Sequence, residues 1–327
     1  MNVQSGMLAA MPALDQAAEA GDPRHAFLRS AWFPDAERVV ALARADGSIA
    51  AALPLVRKAR VVQAIAGPYW PLRSVAIAPD ADAAALLDAA PGPLLRIGPL
   101  RADDPSLARL EAAGTRIVLK RRLGTAFLLD LAAQRREGPW PRASTLKKNR
   151  WFEKQLAAEG ALDFETVRGP QWTPRVFDML AEIERNSWIQ ERTDARDAKF
   201  LASGHRRFWE SAAADPALAD RMCGTILSIG GTPAAFTFGI EAAPVFSLIA
   251  NSYDRRFARH SPGRVLIYRE LARLSEAGFD EVDWGAGDPG YKSAMGAEPG
   301  PELLDCLFVR GRLLAAALRP LWERGKG

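Results

Sequence analysis

Residues 245–271, VFSLIANSYDRRFARHSPGRVLIYREL, and residues 281–296, EVDWGAGDPGYKSAMG, decide how this chain folds. An apolar strand runs through a basic turn into a helix that begins Ser-Pro-Gly, and a second strand follows at once. That layout suits a phosphorylated ligand, because a helix N-terminus presents N–H groups with no intrahelical partner and about half a positive charge. Ser261 is placed to cap the helix, Pro262 to take its first position, and Gly263 to let a ligand approach the backbone. The donors expected to face the ligand are the N–H groups of Gly263, Arg264 and Val265.

Working outward, Met222–Ile229 reads as a strand, Gly230-Gly231 as a tight turn, Pro233–Ile240 as a strand, Ala243-Pro244 as a turn, and Val245–Tyr253 as a third strand. This is an antiparallel meander. Ile267, Leu271 and Leu274 then fall at helical spacing across Pro262–Ala277, and Gly278 ends that helix before a strand at Phe279–Trp284.

These residues resemble the GNAT acyltransferase superfamily, and within it the FemAB/CelD-like branch of bacterial envelope proteins. The resemblance rests on Tyr253-Asp254 before the basic turn, on Ser261-Pro262-Gly263, and on Asp283-Trp284-Gly285-Ala286-Gly287-Asp288 followed by Tyr291-Lys292. It implies an α/β (α+β) fold of tandem GNAT-like domains, with mixed, mostly antiparallel sheets flanked by helices. The superfamily's pyrophosphate loop, Gln/Arg-x-x-Gly-x-Gly/Ala, keeps only Gly263 here, after Arg259, His260, Ser261 and Pro262. More of the phosphate contact is therefore expected from Arg255, Arg256, Arg259 and Arg264, whose planar forks bind phosphate oxygens in pairs.

A chain of 327 residues is long enough for two domains, and its 48% apolar and 25% charged residues are those of a globular protein. The expected division is a degenerate GNAT-like domain over 1–133, a linker over 134–143, and an acyltransferase domain over 144–327. In the first of these, Glu37–Ala45 and Ser48–Val56 read as strands across Asp46-Gly47, Ala59–Ala66 as a third, Asp82–Ala90 and Pro105–Ala113 as helices, and Leu94–Ile97, Thr115–Leu119 and Thr125–Leu131 as strands. The linker carries Arg135, Arg136, Gly138 and Pro139. Ser144 is expected to cap a helix reaching Glu159, and Ile189–Gly204 reads either as an acceptor loop or as plain surface.

Cys223 and Cys306 provide neither a disulfide framework nor metal-ligand spacing, and the three histidines His25, His205 and His260 are too scattered for zinc, so no metal is expected. No basic start precedes an apolar core as in a signal peptide, and no run approaches the ~20 apolar residues of a membrane helix. A cytoplasmic location is expected, with peripheral contact at the inner membrane as a further possibility. The net charge of +4 and pI near 9.2 fall short of a nucleic-acid-binding signature, although the positives are bunched at 120–122, 135–136, 147–150 and 255–256. There is no Gly-x-Ser-x-Gly elbow, no His-x-x-x-x-Asp pair, no Walker A and no Gly-x-Gly-x-x-Gly run, which sets aside serine hydrolysis, glycerolipid acylation, ATP hydrolysis and dinucleotide binding.

The chemistry that the resemblance implies is direct attack of an amine on an acyl-CoA thioester, with proton removal from the ammonium, stabilisation of the oxyanion and protonation of the thiolate. Tyr291, in preference to Tyr253, is the candidate to protonate sulfur, and Tyr291 also reads as a packing residue. Asp283 and Asp288 bracket the end of the last strand and are candidate bases; Asp288 before Pro289-Gly290 reads more readily as a turn residue. Glu184 shares a helical stripe with Phe177, Leu180 and Trp188, where desolvation would raise its pKa into a useful range, unless it pairs with an arginine or bends to solvent. Lys292 is a candidate to neutralise a phosphate or carboxylate, and His260 to hydrogen-bond in the turn. Trp188 and Trp284 are candidates for an acyl pocket. The expected acceptor is an amine of an envelope precursor, a long-chain sphingoid-type amine ahead of an exopolysaccharide amino sugar. The alternatives are FemAB-type transfer from aminoacyl-tRNA, the only reading that involves nucleic acid, and a catalytically silent scaffold in polysaccharide assembly. The amphipathic segment Leu313–Trp322 suits either a membrane surface or packing on the sheet.

Overall fold

The computed structural model describes residues 2–6, 10–67, 73–138, 141, 143–189 and 198–324 and divides into two units, Met1–Leu128 with Gly285–Gly327, and Leu129–Trp284. Residues 285–327 thus belong with the N-terminal unit, whereas a linear reading keeps them with 144–284. The first unit begins with β1 (Asn2–Gly6), α1 (Met11–Ala20), β2 (Arg38–Ala43), β3 (Ile49–Ala59), β4 (Val62–Ile65), α2 (Ala83–Ala89), β5 (Leu94–Arg101), α3 (Pro105–Ala112) and β6 (Ile117–Asp130). The second holds α4 (Leu131–Glu137), α5 (Ala143–Ala157), β7 (Leu162–Val167), α6 (Pro174–Arg185), α7 (Arg206–Ala213), α8 (Pro216–Ala219), β8 (Met222–Ile229), β9 (Thr232–Ala242), β10 (Val245–Tyr253), α9 (Pro262–Glu276) and β11 (Glu281–Ala286). The chain then completes the first unit with α10 (Tyr291–Ala294), β12 (Glu298–Val309) and α11 (Arg312–Arg324).

In the first unit the strands lie in the order β1-β2-β3-β4-β5-β12-β6, and in the second in the order β11-β10-β9-β8-β7. One succession occurs twice. Three antiparallel strands, β2-β3-β4 and then β8-β9-β10, each lead through a helix, α2 or α9, into a parallel fourth strand, β5 or β11. The fold is therefore mixed α/β (α+β), mostly antiparallel, with flanking helices.

Two expected strands, Thr115–Leu119 and Thr125–Leu131, are one continuous strand, β6. The charges between them do not mark a turn, because each has a partner: Lys120 meets Glu111 at 2.6 Å, Arg122 meets Glu302 at 3.0 Å, and Arg121 meets the fully buried Asp305 at 2.5 Å. Asp305 also accepts from Arg96 at 2.8 Å, and Arg121 lies over the Trp322 ring at 4.6 Å, so α11 is seated on β5, β12 and β6 by a buried ion triad under an indole. Gln134–Glu137 of the expected linker lie in α4, and α5 starts before Ser144, which is inside the helix instead of capping it.

In the second unit β8 is buried at every position and β9 nearly so, the pattern of strands covered on both faces. On one face Phe238 meets Trp172, Phe200 and Trp209 edge-on at 5.4, 5.1 and 4.7 Å. On the other, Ala234 and Ala235 share a cluster with Val265 and Leu266 of α9 and with Leu156 of α5.

A Ser-His-Asp relay also lies in the first unit: His25 Nε2 is 3.0 Å from Asp104 Oδ2, and Ser106 Oγ is 3.3 Å from His25 Nδ1. It is a structural device. His25 and Ser106 are buried and Asp104 largely so, the Ser106 hydroxyl donates to the Val75 carbonyl at 2.6 Å, and Asp104 caps α3 through the N–H groups of Ser106 and Leu107. Burial would raise the Asp104 carboxyl, but the charge and hydrogen bond of His25 outweigh it and hold the carboxyl below its usual value. Its contribution is then present above the unfolded pKa, about 4, and lost as pH falls through the lower folded value. Asp104→Asn should therefore cost more stability at about pH 5 than at about pH 3, read by urea denaturation of both proteins; a deficit that grows towards low pH would overturn this assignment.

Candidate functional site

β10 is the central strand of the second unit least covered by its neighbours: Ser247–Asn251 are only part-buried, while β8 and β9 on its flank are buried. Its ladder with β11 has three rungs, Val245 to Glu281, Phe246 to Val282 and Ser247 to Asp283. Just beyond them the register with β9 shifts between Leu248 and Ala250, a bulge at Ile249 that re-aims the backbone where the parallel pairing stops.

Asp254 follows β10, fully buried, and accepts from the Arg256 N–H at 2.9 Å and from the Arg256 guanidinium at 2.5 and 2.9 Å. Arg255–His260 form a 3-10 turn closed by Ser261. Ser261 has φ +49°, the one non-glycine residue in the left-handed region among those described, and its side chain makes no cap. It occupies the cap position as a strained pivot, where the sequence suggested an ordinary serine cap; such strain gathers where geometry serves a function. The Val265 N–H is taken by the Ser261 carbonyl at 3.2 Å, so the first turn of α9 offers two donors, Gly263 and Arg264, instead of three. A Cβ on Gly263 would lie 3.1 Å from Tyr253 Cδ1, so this glycine answers to tyrosine packing. Arg264 stacks 5.6 Å from the Tyr268 ring with its Nε buried and unbonded, while Arg255 and Arg259 are exposed. His260 reaches Glu159 at 3.3 Å.

The helix is held from beneath. Glu270, buried, accepts from Thr225 Oγ1 at 2.9 Å and from Arg273 at 2.5 Å; Arg273 also bonds Glu241 at 2.8 Å, and Glu241 is bonded by Arg168. Cys223, Glu241 and Glu270 are the one grouping among the described residues with metal-ligand proximity, and arginines already occupy both carboxylates. Burial pushes the Cys223 thiol well up and Cys306 up to about 12, so neither is a ready nucleophile. α5 packs alongside α9, tied by Arg269 to Glu153 at 3.0 Å. On α5, Lys147, Lys148, Arg150 and Trp151 are exposed, and Asn149 alone of the basic run turns inward, its amide atoms buried without partners.

The other candidates are placed as follows. Glu184 is fully buried and accepts from the N–H groups of Lys199, Phe200 and Leu201 at 2.8, 2.8 and 3.2 Å; burial keeps its carboxyl above the usual range, and its work is to anchor that turn. Trp188, expected on the same stripe, is 42% exposed beyond the end of α6. Residues 190–197 of the expected acceptor loop lie outside the described residues. Asp283 and Trp284 are buried on β11. In the first unit, Asp288 accepts from Gly290 N at 2.7 Å, Lys292 N at 3.0 Å and Ser293 Oγ at 2.5 Å, which holds its carboxyl below the usual range and makes it the organiser of α10. Lys292 is buried and donates to the Gly285 and Ala286 carbonyls at 3.3 and 2.9 Å, whereas Tyr291 is 37% exposed. The i,i+3 pair Glu270 and Arg273 and the inward Asn149 were missed in the sequence; the first had a readable signal in its spacing, the second only an amide inside a basic run.

Residues 142–293 match the family described as Acetyltransferase (GNAT) domain. That match spans a little under half of the chain. A domain of that description is an acyltransferase domain. No curated protein sequence matches the chain. Among solved structures it is similar to the C-terminal domain of an Agrobacterium fabrum protein described as a lysylphosphatidylglycerol synthetase (16% identity, TM-score 0.57, 94% of this chain and 93% of that one). It is also similar to FemX (12%, 0.57, 98% and 100%) and to L-PGS from Bacillus licheniformis (12%, 0.55, 97% and 98%). These likenesses are likenesses of fold. No helix among the described residues is long and apolar enough to cross a membrane.

If Ser261 is a strained pivot, Ser261→Gly should raise stability by about 0.5–1 kcal/mol, because glycine adopts φ +49° without a Cβ clash. Urea denaturation reads this directly, and a loss of stability would show instead that the hydroxyl anchors the turn.

Proposed function

We propose that this GNAT-type transferase is an acyl-CoA-dependent N-acyltransferase of an envelope precursor, with an amine attacking the thioester directly. The observation that carries the donor side is the strained Ser261 pivot, which opens α9 with two N–H groups unbonded beside Arg255, Arg259 and Arg264. A diphosphate fits this chemistry: two backbone donors, a helix dipole, and guanidinium groups that bind oxygens in pairs. In the reaction the amine nitrogen bonds the acyl carbon, the C–S bond breaks, and the thiolate takes a proton. Tyr291, exposed at the start of α10, is the proposed donor of that proton. Asp288 and Lys292 hold its segment, a positioning role in place of the base and phosphate roles expected of them. For the acceptor, a long-chain amine is favoured over an amino sugar, with the protein meeting it at a membrane surface.

A second reading, aminoacyl transfer from tRNA, is favoured by one observation. α5 presents Lys147, Lys148, Arg150 and Lys154 to solvent with Trp151, which is 53% exposed, a basic and stacking surface that suits RNA phosphates and bases. One of the similar structures is described as a domain of a lysylphosphatidylglycerol synthetase.

Thermal stabilisation by CoA esters of two to sixteen carbons, against free CoA, separates the readings. A ligand at about a hundred times its Kd adds roughly 2.7 kcal/mol. Stabilisation should rise with chain length, and Arg259→Glu should weaken CoA binding roughly tenfold by reversing one charge at the turn. No stabilisation by any ester, with salt-sensitive binding of aminoacyl-tRNA instead, would replace the first reading by the second.

A further inference from the structure

We infer that the outer face of α11, together with the turn between β3 and β4, docks on an anionic lipid bilayer; this deepens the envelope-acceptor reading above by naming the surface, and it rests on that reading only for its biological setting. The helix has two opposed apolar faces. Ala315, Leu318 and Trp322, at i, i+3 and i+7, pack on Leu94, Leu119, Leu307 and Val309. That face satisfies the fold. The opposite face carries Leu313, which is 88% exposed, with Ala316, Ala317 and Pro320, and Leu321, which is 73% exposed. An amphipathic helix that only packs on a sheet would put polar residues there.

The β3–β4 turn belongs to the same surface. Val62, which follows the turn, packs against the same cluster as Leu318 and Trp322 of α11. Val61 is 49% exposed, and Arg57, Lys58 and Arg60 are exposed around it. The side chains of Arg57, Lys58, Arg60, Arg312 and Arg324 have no acidic partner among the described residues, whereas Arg319 is neutralised by Glu323 at 3.1 Å. Apolar side chains rimmed by five uncompensated cations suit one occupant above others: leucines enter the boundary between headgroups and acyl chains while arginine and lysine meet lipid phosphate. A second copy of this chain would bring the same five cations against themselves, and a nucleic acid would have no use for the exposed leucines.

Flotation of the full chain with vesicles tests this without any acyl donor, so its failure and a failure of the CoA reading are told apart. Binding should be strong to phosphatidylcholine vesicles containing about 30% phosphatidylglycerol, weak to phosphatidylcholine alone, and weakened by salt. Removing one cation should lower partitioning about fivefold, so Lys58→Glu with Arg60→Glu should abolish flotation at moderate salt. Leu313→Ser with Leu321→Ser should also abolish it while leaving the thermal melt unchanged, since neither side chain is in the core. Absence of binding to anionic vesicles, equal binding to both compositions, or a dimer in sedimentation velocity that the leucine substitutions dissolve would each overturn the inference.

Discussion

The ion web beneath α9 fixes the geometry on which the site depends. Glu270 and Arg273 lie three residues apart on the helix, and they reach Thr225 on β8, Glu241 on β9 and, through Glu241, Arg168 at the end of β7. A single partner removed from such a set leaves a buried charge uncompensated, so the arrangement has little freedom to slide. A helix held in this way has a fixed N-terminus, and the direction of its two unbonded N–H groups follows. The bidentate contact of Arg269 with Glu153 extends the constraint to α5, which places the basic helix beside the basic turn.

The turn stores what the web secures. Asp254 binds Arg256 through backbone and guanidinium, which closes the start of the 3-10 turn, and Ser261 is then forced into the left-handed region before Pro262 resumes the helix. An expected phosphate arginine, Arg256, is thereby committed to Asp254. Arg259 and Arg264 remain near the turn. Gly263, read in the sequence as clearance for a ligand, is clearance for Tyr253. Both revisions have one cause: sequence spacing shows that a residue type is present, and only packing shows which neighbour uses it first.

The meander Met222–Tyr253 and the helix Pro262–Glu276 were legible almost residue by residue, because their apolar periods and Gly/Pro punctuation agree. β6 was not, since Lys120, Arg121 and Arg122 imitate a loop until their partners on α3 and β12 are in place. β7 went unread because Leu162–Val167 carries charge on an edge strand and has no strong period. The return of residues 285–327 to the first unit could not be read locally at all, because β12 is recognisable as a strand but its position between β5 and β6 is set by pairing far along the chain. In the site, Glu184 and Asp288 each serve backbone N–H groups; the turn role of Asp288 was readable from the Pro-Gly that follows it, whereas that of Glu184 depends on the path of a neighbouring loop.

The fate of the basic clusters carries the remaining step. A net charge of +4 says little about partners, since many of the positive residues are engaged within the fold. The run 120–122 is consumed by Glu111, Asp305 and Glu302, and Arg135 by Asp280 with the Phe279 carbonyl. Among the exposed cations two groups stand out, one on α5 and the turn before α9 in the second unit, the other on the β3–β4 turn and α11 in the first. The two groups differ in what accompanies them. The second unit sets its cations beside helix N–H groups, which suits discrete phosphates; the first sets them around exposed leucines, which suits phosphates that belong to a surface.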